Sequence, residues 1–347
     1  GIVPDGTPVF DPSSGTNMGN SNLISFMDGI YGDGGTSIIA SKPWFPLVEE
    51  GYKMWEEASG LTFQYEPNDD GARVADPVNV GVAGLRADMR IAGALIDGDF
   101  GVLAFNYYPS GFGSQGFDGD MVIDTADIFY SLASDGPDGP NVNLKNIIAH
   151  EVGHGIGIAH VEPVTGSKLM EPFVNDTFLG PQEDDIFNVN ILYGDPLESN
   201  DSLAVATDLG ILAPNVPVVV DTVTIDNPTA DIDFYEFEVQ ASIPLGVVLR
   251  PTGSSYMAGP QNGLPLAVNR AAQSNLGFRV YDPSGTVIAT SSSRAIGLSE
   301  FINGLILPAA GKYAVGVFAE SGADSQSYEL TIQTGEPLPI GPQLLAV

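Results

Sequence analysis

All three histidines of this 347-residue chain lie in one short segment, HEVGHGIGIAH, at positions 150–160. Residues four apart lie on the same face of a helix, so His150 and His154 present two imidazoles on one side. Two imidazoles at this spacing are a common pair of zinc ligands, and Glu151 beside them is placed to deprotonate a metal-bound water. The spacing therefore predicts a centre for metal-assisted hydrolysis on a helix.

A third ligand is expected from the turn that follows this helix. Gly157 lies three residues beyond His154, where a glycine allows the left-handed conformation that ends many helices. The turn can then bring His160 to the same site. Three protein ligands leave a fourth position open, which is typical of catalytic zinc. Incidental histidines, or a metal site without activity, are the alternatives; the pattern disfavours the first and Glu151 disfavours the second.

The composition excludes several classes of partner. The net charge is −32, from 44 acidic and 12 basic residues, which argues against nucleic acid and anionic membrane surfaces. No apolar run approaches the roughly 20 residues that a membrane span needs. The chain has no cysteine, so disulfides and thiolate metal sites are excluded. No basic-then-apolar segment opens the sequence, so we expect any signal peptide to have been removed or left out.

Asp-Gly clusters suggest a use for part of the acidic excess. Most of the charge is expected to form a solvated surface. Carboxylate and carbonyl oxygens on tight turns are also the ligands that calcium prefers. Bound calcium could stabilise a chain that has no disulfides. The clusters are NDDG (68–71), DGDFG (97–101), FDGD (117–120) and DGPDG (135–139).

Helical periodicity and turn residues predict three helices in the first half of the chain. They cover residues 43–60, 143–157 and 181–194, and the second carries the histidines. Alternating or apolar runs predict strands at 22–32, 61–66, 86–93 and 102–108.

The sequence after Gly194 has a different pattern. Seven short β-rich runs, separated by turns, lie between about 200 and 335, which predicts an antiparallel β-sandwich. The runs are VPVVVDTVTI, DFYEFEV, LGVVLR, LGFRVYD, TVIATSS, KYAVGVFA and SYELTIQ. Residues 195–201 are the predicted linker. The predicted organisation is a catalytic domain at 1–195, an all-β sandwich at 196–335 and a tail at 336–347.

The pattern HExxHxxGxxH, followed by Met170 in SKLMEP, is the metzincin signature. Within that clan, residues 43–194 resemble the matrixin (matrix metalloproteinase-like) peptidases. The resemblance continues through RADMRI, IDGDFGVLAFNYYP, DMVIDTAD and EDDIFNVNILYG, in the family's order. It implies an α+β domain with a mixed twisted sheet and three helices, in which Met170 supports the zinc site from the Met-turn.

The same resemblance implies further site residues. A structural calcium site would use carboxylates that match the family's acidic positions. One strand would pair with extended substrate, and the segment after Met170 would help to wall the pocket for the side chain beyond the scissile bond. The implied residues are Asp97, Asp124 and Asp127 for calcium, Leu103 and Ala104 for the strand, and Pro172 and Phe173 for the pocket.

One departure from the family concerns its second, structural zinc. The histidines of that site would fall at Phe105 and Val122, and neither residue can bind metal. We therefore expect a single, catalytic zinc ion.

Most of residues 198–333 resembles the bacterial pre-peptidase C-terminal domain, a small β-sandwich appended to secreted peptidases. Such a domain can bind substrate, carbohydrate or a surface; a spacer that adds stability is an equal alternative. Asp201, Asp231 and Asp233 are candidate ligands for a further calcium ion.

The function predicted from these features is a secreted zinc endopeptidase acting on protein or peptide substrates. A zinc-activated water would attack the peptide bond, with Glu151 as the general base. The alternative is a catalytically silent extracellular binding or adhesion protein on a metzincin scaffold.

Overall fold

The computed structural model describes residues 1–11, 14–110, 116–127, 142–226, 231–322 and 325–338. The chain divides into two compact units. The first unit comprises Gly1–Glu57, Thr62–Asp185 and Gly259–Pro265, and the second comprises Ala58–Leu61, Ile186–Ala258 and Leu266–Val347. No described helix combines the length and the apolar character needed to cross a membrane.

A three-stranded mixed sheet and the helices α1–α3 form the frame of the first unit. The sheet order is β3-β5-β4, with β5 parallel to β3 and antiparallel to β4. Helix α4 begins at the end of this unit. The elements in chain order are β1 (Pro8–Asp11), β2 (Thr16–Asn20), α1 (Leu23–Tyr31), α2 (Phe45–Glu56), β3 (Ile91–Ala94), β4 (Ala104–Asn106), β5 (Met121–Asp124), α3 (Val142–Gly155), β6 (Val161–Glu162) and α4 (Glu183–Tyr193).

The strand predicted at 22–32 is wrong, because this segment forms α1. Leu23 and Met27 are buried one helical turn apart. The carboxylate of Asp5 accepts hydrogen bonds from the amides of Ile24 and Ser25, both at 2.9 Å, and so caps the first turn from a distant position. The described residues therefore contain four α-helices rather than the predicted three.

The strand predicted at 61–66 is also wrong. The segment forms no β-ladder, although its aromatic residues alternate as a strand's would. The Phe63 and Tyr65 rings pack edge-on against α2, on Tyr52 and Phe45, with ring centroids 5.1 and 4.7 Å apart. Packing on a helix rather than strand pairing holds this segment. The next two predicted strands exist but are shorter, as β3 and β4.

Buried charges tie the loop around residues 69–76 to the sheet. Arg90 is fully buried, and its guanidinium binds both carboxylate oxygens of Asp69 at 2.8 Å. Asp120 accepts hydrogen bonds from the amides of Arg90 and Ala75, at 3.0 and 2.8 Å. Burial raises the pKa of Asp120 to about 7. Two of the four Asp-Gly clusters thus contribute structural carboxylates, and the cluster at 135–139 lies outside the described residues.

Two β-sheets make up most of the second unit. Their orders are β15-β10-β17-β8 and β14-β13-β16-β9-β7. Residues of both sheets enter one apolar cluster, among them Val247, Val317 and Ile332. The strands are β7 (Thr207–Ile211), β8 (Val218–Ile225), β9 (Ile232–Val239), β10 (Ile243–Pro251), β11 (Ser255–Pro260), β12 (Leu266–Asn269), β13 (Ser274–Tyr281), β14 (Val287–Ser291), β15 (Glu300–Leu307), β16 (Gly311–Gly322) and β17 (Gln326–Thr334).

Pairing in these sheets is antiparallel except between β7 and β9, which run parallel. The sequence predicted seven of these strands and missed β7, β11, β12 and β15. Alternation is weak in the missed strands, since most of their residues are exposed or half-buried.

Candidate metal and catalytic site

Helix α3 and the turn after it bring the three histidines together. Nε2 of His160 lies 3.0 Å from Nε2 of His150 and 3.1 Å from Nε2 of His154. Gly157 adopts a φ of 101°, the left-handed conformation expected from the sequence. The amide of Ile158 donates to the carbonyl of Gly153 at 2.8 Å and closes the turn. His160 therefore reaches the face of the helix that carries the other two imidazoles.

Each of the three imidazoles has a hydrogen-bond acceptor at Nδ1. Nδ1 of His150 lies 2.7 Å from the carbonyl oxygen of Leu169, and Nδ1 of His154 lies 2.8 Å from that of Ile158. Nδ1 of His160 lies 3.2 Å from Oε1 of Gln261. Acceptors at Nδ1 favour the tautomer with a proton there, which leaves each Nε2 lone pair available to a metal.

The donor set fits zinc. Burial lowers the pKa of His150 to about 3 and that of His154 to about 4, so both imidazoles are neutral, as metal ligands must be. Zinc–nitrogen bonds of about 2.1 Å at tetrahedral angles would separate such nitrogens by about 3.4 Å, close to the observed spacing. The three residues can hold one ion.

Glu151 lies beside the ligands as a buried and incompletely bonded carboxylate. Its side chain is 6% exposed, and Oε2 has no hydrogen-bond partner among the described residues. Burial raises the pKa of Glu151 to about 8. A bound dication would lower this pKa again, because it favours the charged form. A group in this setting can take up and release a proton near neutral pH.

Met170 packs beneath α3, where the Met-turn was expected. It is fully buried, and a Cβ on Gly153 would lie 2.5 Å from its Sδ. The buried carboxylate of Asp185 accepts hydrogen bonds from the amides of Leu169 and Met170, at 2.7 and 3.1 Å. The sequence pattern predicts a helix here but indicates no site role for the acidic residues at its start. It therefore missed Asp185 as a support of the site.

The predicted substrate strand lies at an edge of the mixed sheet. Ala104 pairs with Ile123 of β5, and β4 is the outermost strand of the sheet. The carbonyl of Leu103 accepts a hydrogen bond from the amide of Asp124 at 2.9 Å. Beyond the Met-turn, Pro172 is half-buried and the side chain of Phe173 is 71% exposed.

The three predicted calcium ligands of the first unit influence one another electrostatically, but their carboxylate oxygens do not all lie within 4.8 Å of one another. The amide of Asp97 donates to Asp124 at 3.1 Å, and the amide of Phe100 donates to Asp127 at 2.7 Å. Oδ2 of Asp127 is buried with no partner among the described residues. Burial raises the pKa of Asp127, and the carboxylates of Asp124, Asp97 and Asp99 add to this effect. A cation would offset that repulsion.

Phe105 and Val122, at the positions of the family's second zinc, lie side by side across β4 and β5. Val122 is fully buried in an apolar cluster with Val9 and Val74, and Phe105 packs against this cluster. Hydrophobic packing occupies these positions.

A second group of candidate metal ligands lies in the second unit. Carboxylate oxygens of Glu198, Asp226 and Asp231 lie within 4.8 Å of one another. Asp233 is buried nearby and accepts a hydrogen bond from Tyr328. One oxygen of Asp231, one of Asp233 and the Asn200 side-chain oxygen are buried without a partner among the described residues. The sequence named Asp201, Asp231 and Asp233 for this region but missed Glu198 and Asp226. Asp201 is exposed, and its charge helps to raise the pKa of Glu198.

Comparisons with known proteins agree with the site. The family model described as Matrixin matches residues 37–194. The chain is 31% identical over 157 residues to human Matrix metalloproteinase-15, covering 43% of this chain and 21% of that protein. It is 30% identical over 179 residues to Stromelysin-1 of Rattus norvegicus, covering 48% and 32%. It is 28% identical over 151 residues to Karilysin of Tannerella forsythia, covering 43% and 28%. The chain thus spans about a fifth to a third of these relatives.

Among solved structures, the chain is similar to the pre-peptidase C-terminal domain of a collagenase from Bacillus anthracis. The TM-score is 0.24 at 15% identity, covering 37% of this chain and 94% of that domain. At this TM-score the likeness by itself decides nothing about the second unit. The family-model match and these relatives confirm that residues 37–194 are similar to the matrixins.

Proposed function

We propose that this protein is a secreted zinc endopeptidase that hydrolyses peptide bonds in protein or peptide substrates. The observation that carries the proposal is the convergence of three imidazole Nε2 atoms, 3.0 and 3.1 Å apart, next to the buried carboxylate of Glu151. Neutral imidazoles can hold a metal ion, and a carboxylate beside them can act as the general base of metal-assisted hydrolysis. His150, His154 and His160 would hold the metal.

Bound zinc would act as a Lewis acid towards a water and the substrate carbonyl. Glu151 is the general base in this scheme: it accepts a proton from the attacking water and passes it to the leaving amine. Its Oε2, which has no hydrogen-bond partner in the described part of the chain, is available for that transfer. The acceptors at Nδ1 keep the three imidazoles in the tautomer and orientation that bind metal.

Extended substrate would lie along the outer edge of β4, at Leu103 and Ala104. An edge strand offers backbone groups to which a peptide can add as a further strand. Pro172 and Phe173 would help to wall the pocket for the side chain after the scissile bond. The largely exposed ring of Phe173 supplies apolar surface that a substrate side chain can cover.

Replacement of the proposed base tests the mechanism. We expect Glu151→Gln to reduce peptide cleavage by about 10²- to 10⁴-fold, the usual contribution of a general base, while one zinc ion stays bound. Glu57→Gln is the matched control, since the Glu57 side chain is exposed and forms a surface ion pair with Lys53 at 3.3 Å. Full activity of Glu151→Gln with normal zinc content would contradict the proposed role of Glu151.

The alternative function is a catalytically silent extracellular binding or adhesion protein. A casein or gelatin assay with and without a zinc chelator separates the two. The peptidase loses cleavage in chelator and regains it with zinc. A zinc-loaded protein that cleaves neither substrate would favour the alternative.

We further propose structural calcium at two places. One site would use Asp97, Asp124 and Asp127. The other would lie in the second unit, at Asp231 and Asp233 with Glu198 and Asp226. Cation binding is supported by buried carboxylate oxygens that have no partner among the described residues: one of Asp127 in the first place, and one each of Asp231 and Asp233 in the second.

The second unit is proposed to recruit polymeric substrate or a surface, with a stabilising spacer as the equal alternative. Removal of the chain from Ile186 onward also removes the segment Gly259–Pro265 of the first unit. Recruitment therefore predicts a larger loss of cleavage on insoluble protein than on short peptides. Equal loss on both substrates would count against recruitment.

A further inference from the structure

The segment Gly259–Pro265 belongs to the first unit and lies against the third histidine. Its first two residues, Gly259 and Pro260, pair antiparallel with Glu162 and Val161 of β6. The amide of Gln261 donates to the carbonyl of His160 at 3.1 Å. The His160 carbonyl and the two residues after it are thus paired with a segment about 100 residues further along the chain.

A tight turn sets the position of the Gln261 side chain. The amide of Gly263 donates to the carbonyl of Pro260 at 2.9 Å, which makes Gln261 and Asn262 the central residues of a β-turn. Asn262 has a φ of 61°, as the second central residue of a type II turn requires. With its own amide bonded to His160, Gln261 has little freedom to move away from the imidazole.

The acceptors at the three imidazoles differ in kind. His150 and His154 face backbone carbonyls, which helix and turn geometry hold in place. Among the described residues, His160 has only the Gln261 side chain at Nδ1, at 3.2 Å. The side-chain oxygen must face Nδ1, because an NH₂ group there would leave the proton on Nε2 and block metal binding.

We propose that Gln261 is a positioning residue that holds His160 in the metal-binding tautomer and orientation. The inference rests on the proposed zinc site and deepens it. Partners of this kind typically contribute 10- to 100-fold to metal affinity. Because the matched family region ends at residue 194, one support of the site comes from outside that region.

Zinc affinity of the full chain, measured by chelator competition, tests the inference. We expect Gln261→Met, which keeps the length of the side chain but removes the acceptor, to weaken zinc binding about 10- to 100-fold. Gln261→Glu keeps the acceptor and should bind zinc at least as tightly as the unmodified chain. As a control, Gln64→Ala removes the side-chain amide of a glutamine at an exposed position of the same unit. This change should leave the zinc affinity unchanged.

The histidine Nδ1–H protons give a second readout. The zinc-loaded chain should show three such protons protected from exchange, and Gln261→Met should lose the one on His160. Equal zinc affinity in both chains, or a His160 proton unprotected in the unmodified chain, would overturn the inference and leave the peptidase proposal intact. An unmodified chain that binds no zinc would overturn both. The His160 proton of the unmodified chain decides the matter even if Gln261→Met does not fold.

Discussion

Asp185 holds Leu169 through a 2.7 Å hydrogen bond to its amide, and the carbonyl of Leu169 lies 2.7 Å from Nδ1 of His150. Asp185 thereby acts on a candidate metal ligand without touching it. Burial raises the pKa of this carboxyl to about 6, and hydrogen bonds from backbone amides oppose that rise. A carboxylate kept inside the protein in this way supports the Met-turn as a rigid base for the site.

We expect Asp185→Ala to loosen the Met-turn, because the amides of Leu169 and Met170 lose their acceptor. Each buried donor left without a partner costs about 1–3 kcal/mol, so the free energy of unfolding should fall by a few kcal/mol. Zinc affinity should also fall, since the Leu169 carbonyl shifts relative to His150. Thermal unfolding and chelator competition measure the two effects. Unchanged zinc affinity would show that the Met-turn does not position His150 for metal binding.

Gly153 is required by close packing beneath the metal-binding helix. A Cβ at this position would lie 2.5 Å from Sδ of Met170 and 2.9 Å from Cζ2 of Trp55. We expect Gly153→Ala to lower the free energy of unfolding by about 1–3 kcal/mol, the usual cost of overpacking. Gly29→Ala is the control: Gly29 is also helical but has no atom within 4 Å of the added Cβ. That change should stabilise the protein by up to about 1 kcal/mol.

The buried Arg90 should be indispensable for stability. Removing one partner of a buried ion pair leaves an uncompensated charge and costs about 3–5 kcal/mol. We expect Arg90→Met to destabilise by this amount in denaturant unfolding, since Asp69 is left buried and unpaired. Arg73→Met removes a half-exposed partner of Asp76 and should change stability by less than about 1 kcal/mol. Similar losses in both variants would argue against a special role for Arg90.

Calcium and pH should act together on the second unit. Burial, with nearby Asp226 adding to it, raises the pKa of Glu198 to about 7, and burial also raises the pKa of Asp231. A folded-state pKa above the unfolded value contributes stability below the unfolded pKa, and this contribution is lost as pH rises through the folded pKa. Without calcium, these groups should therefore lower stability between about pH 5 and 8.

Unfolding temperatures in chelator and in calcium, at pH 5 and pH 8, test this linkage. Calcium should raise the unfolding temperature more at pH 8, where the carboxylates are ionised. Asp231→Asn should reduce both the calcium effect and the pH dependence. A calcium effect of equal size at both pH values would point to other ligands.

Local patterns were sufficient where neighbours in sequence decide the structure. The four-residue spacing of His150 and His154 determines that they share a helical face, and Gly157 determines where that helix can end. The alternation in β9 and β13 likewise placed strands correctly, because burial follows the period of the pleat. The matrixin resemblance also followed from the sequence, which placed it at residues 43–194; the family model matches 37–194.

Tertiary structure decided what depends on distant partners. Residues 22–32 form a helix rather than a strand because Asp5 caps it, and a short apolar run does not distinguish the two. Residues 61–66 stay outside the sheet because their rings pack on α2. Gln261 meets His160 across 101 residues, a contact that no spacing rule predicts. The sequence thus determined where the candidate ligands stand along the chain, whereas only folding could bring together the groups that orient them.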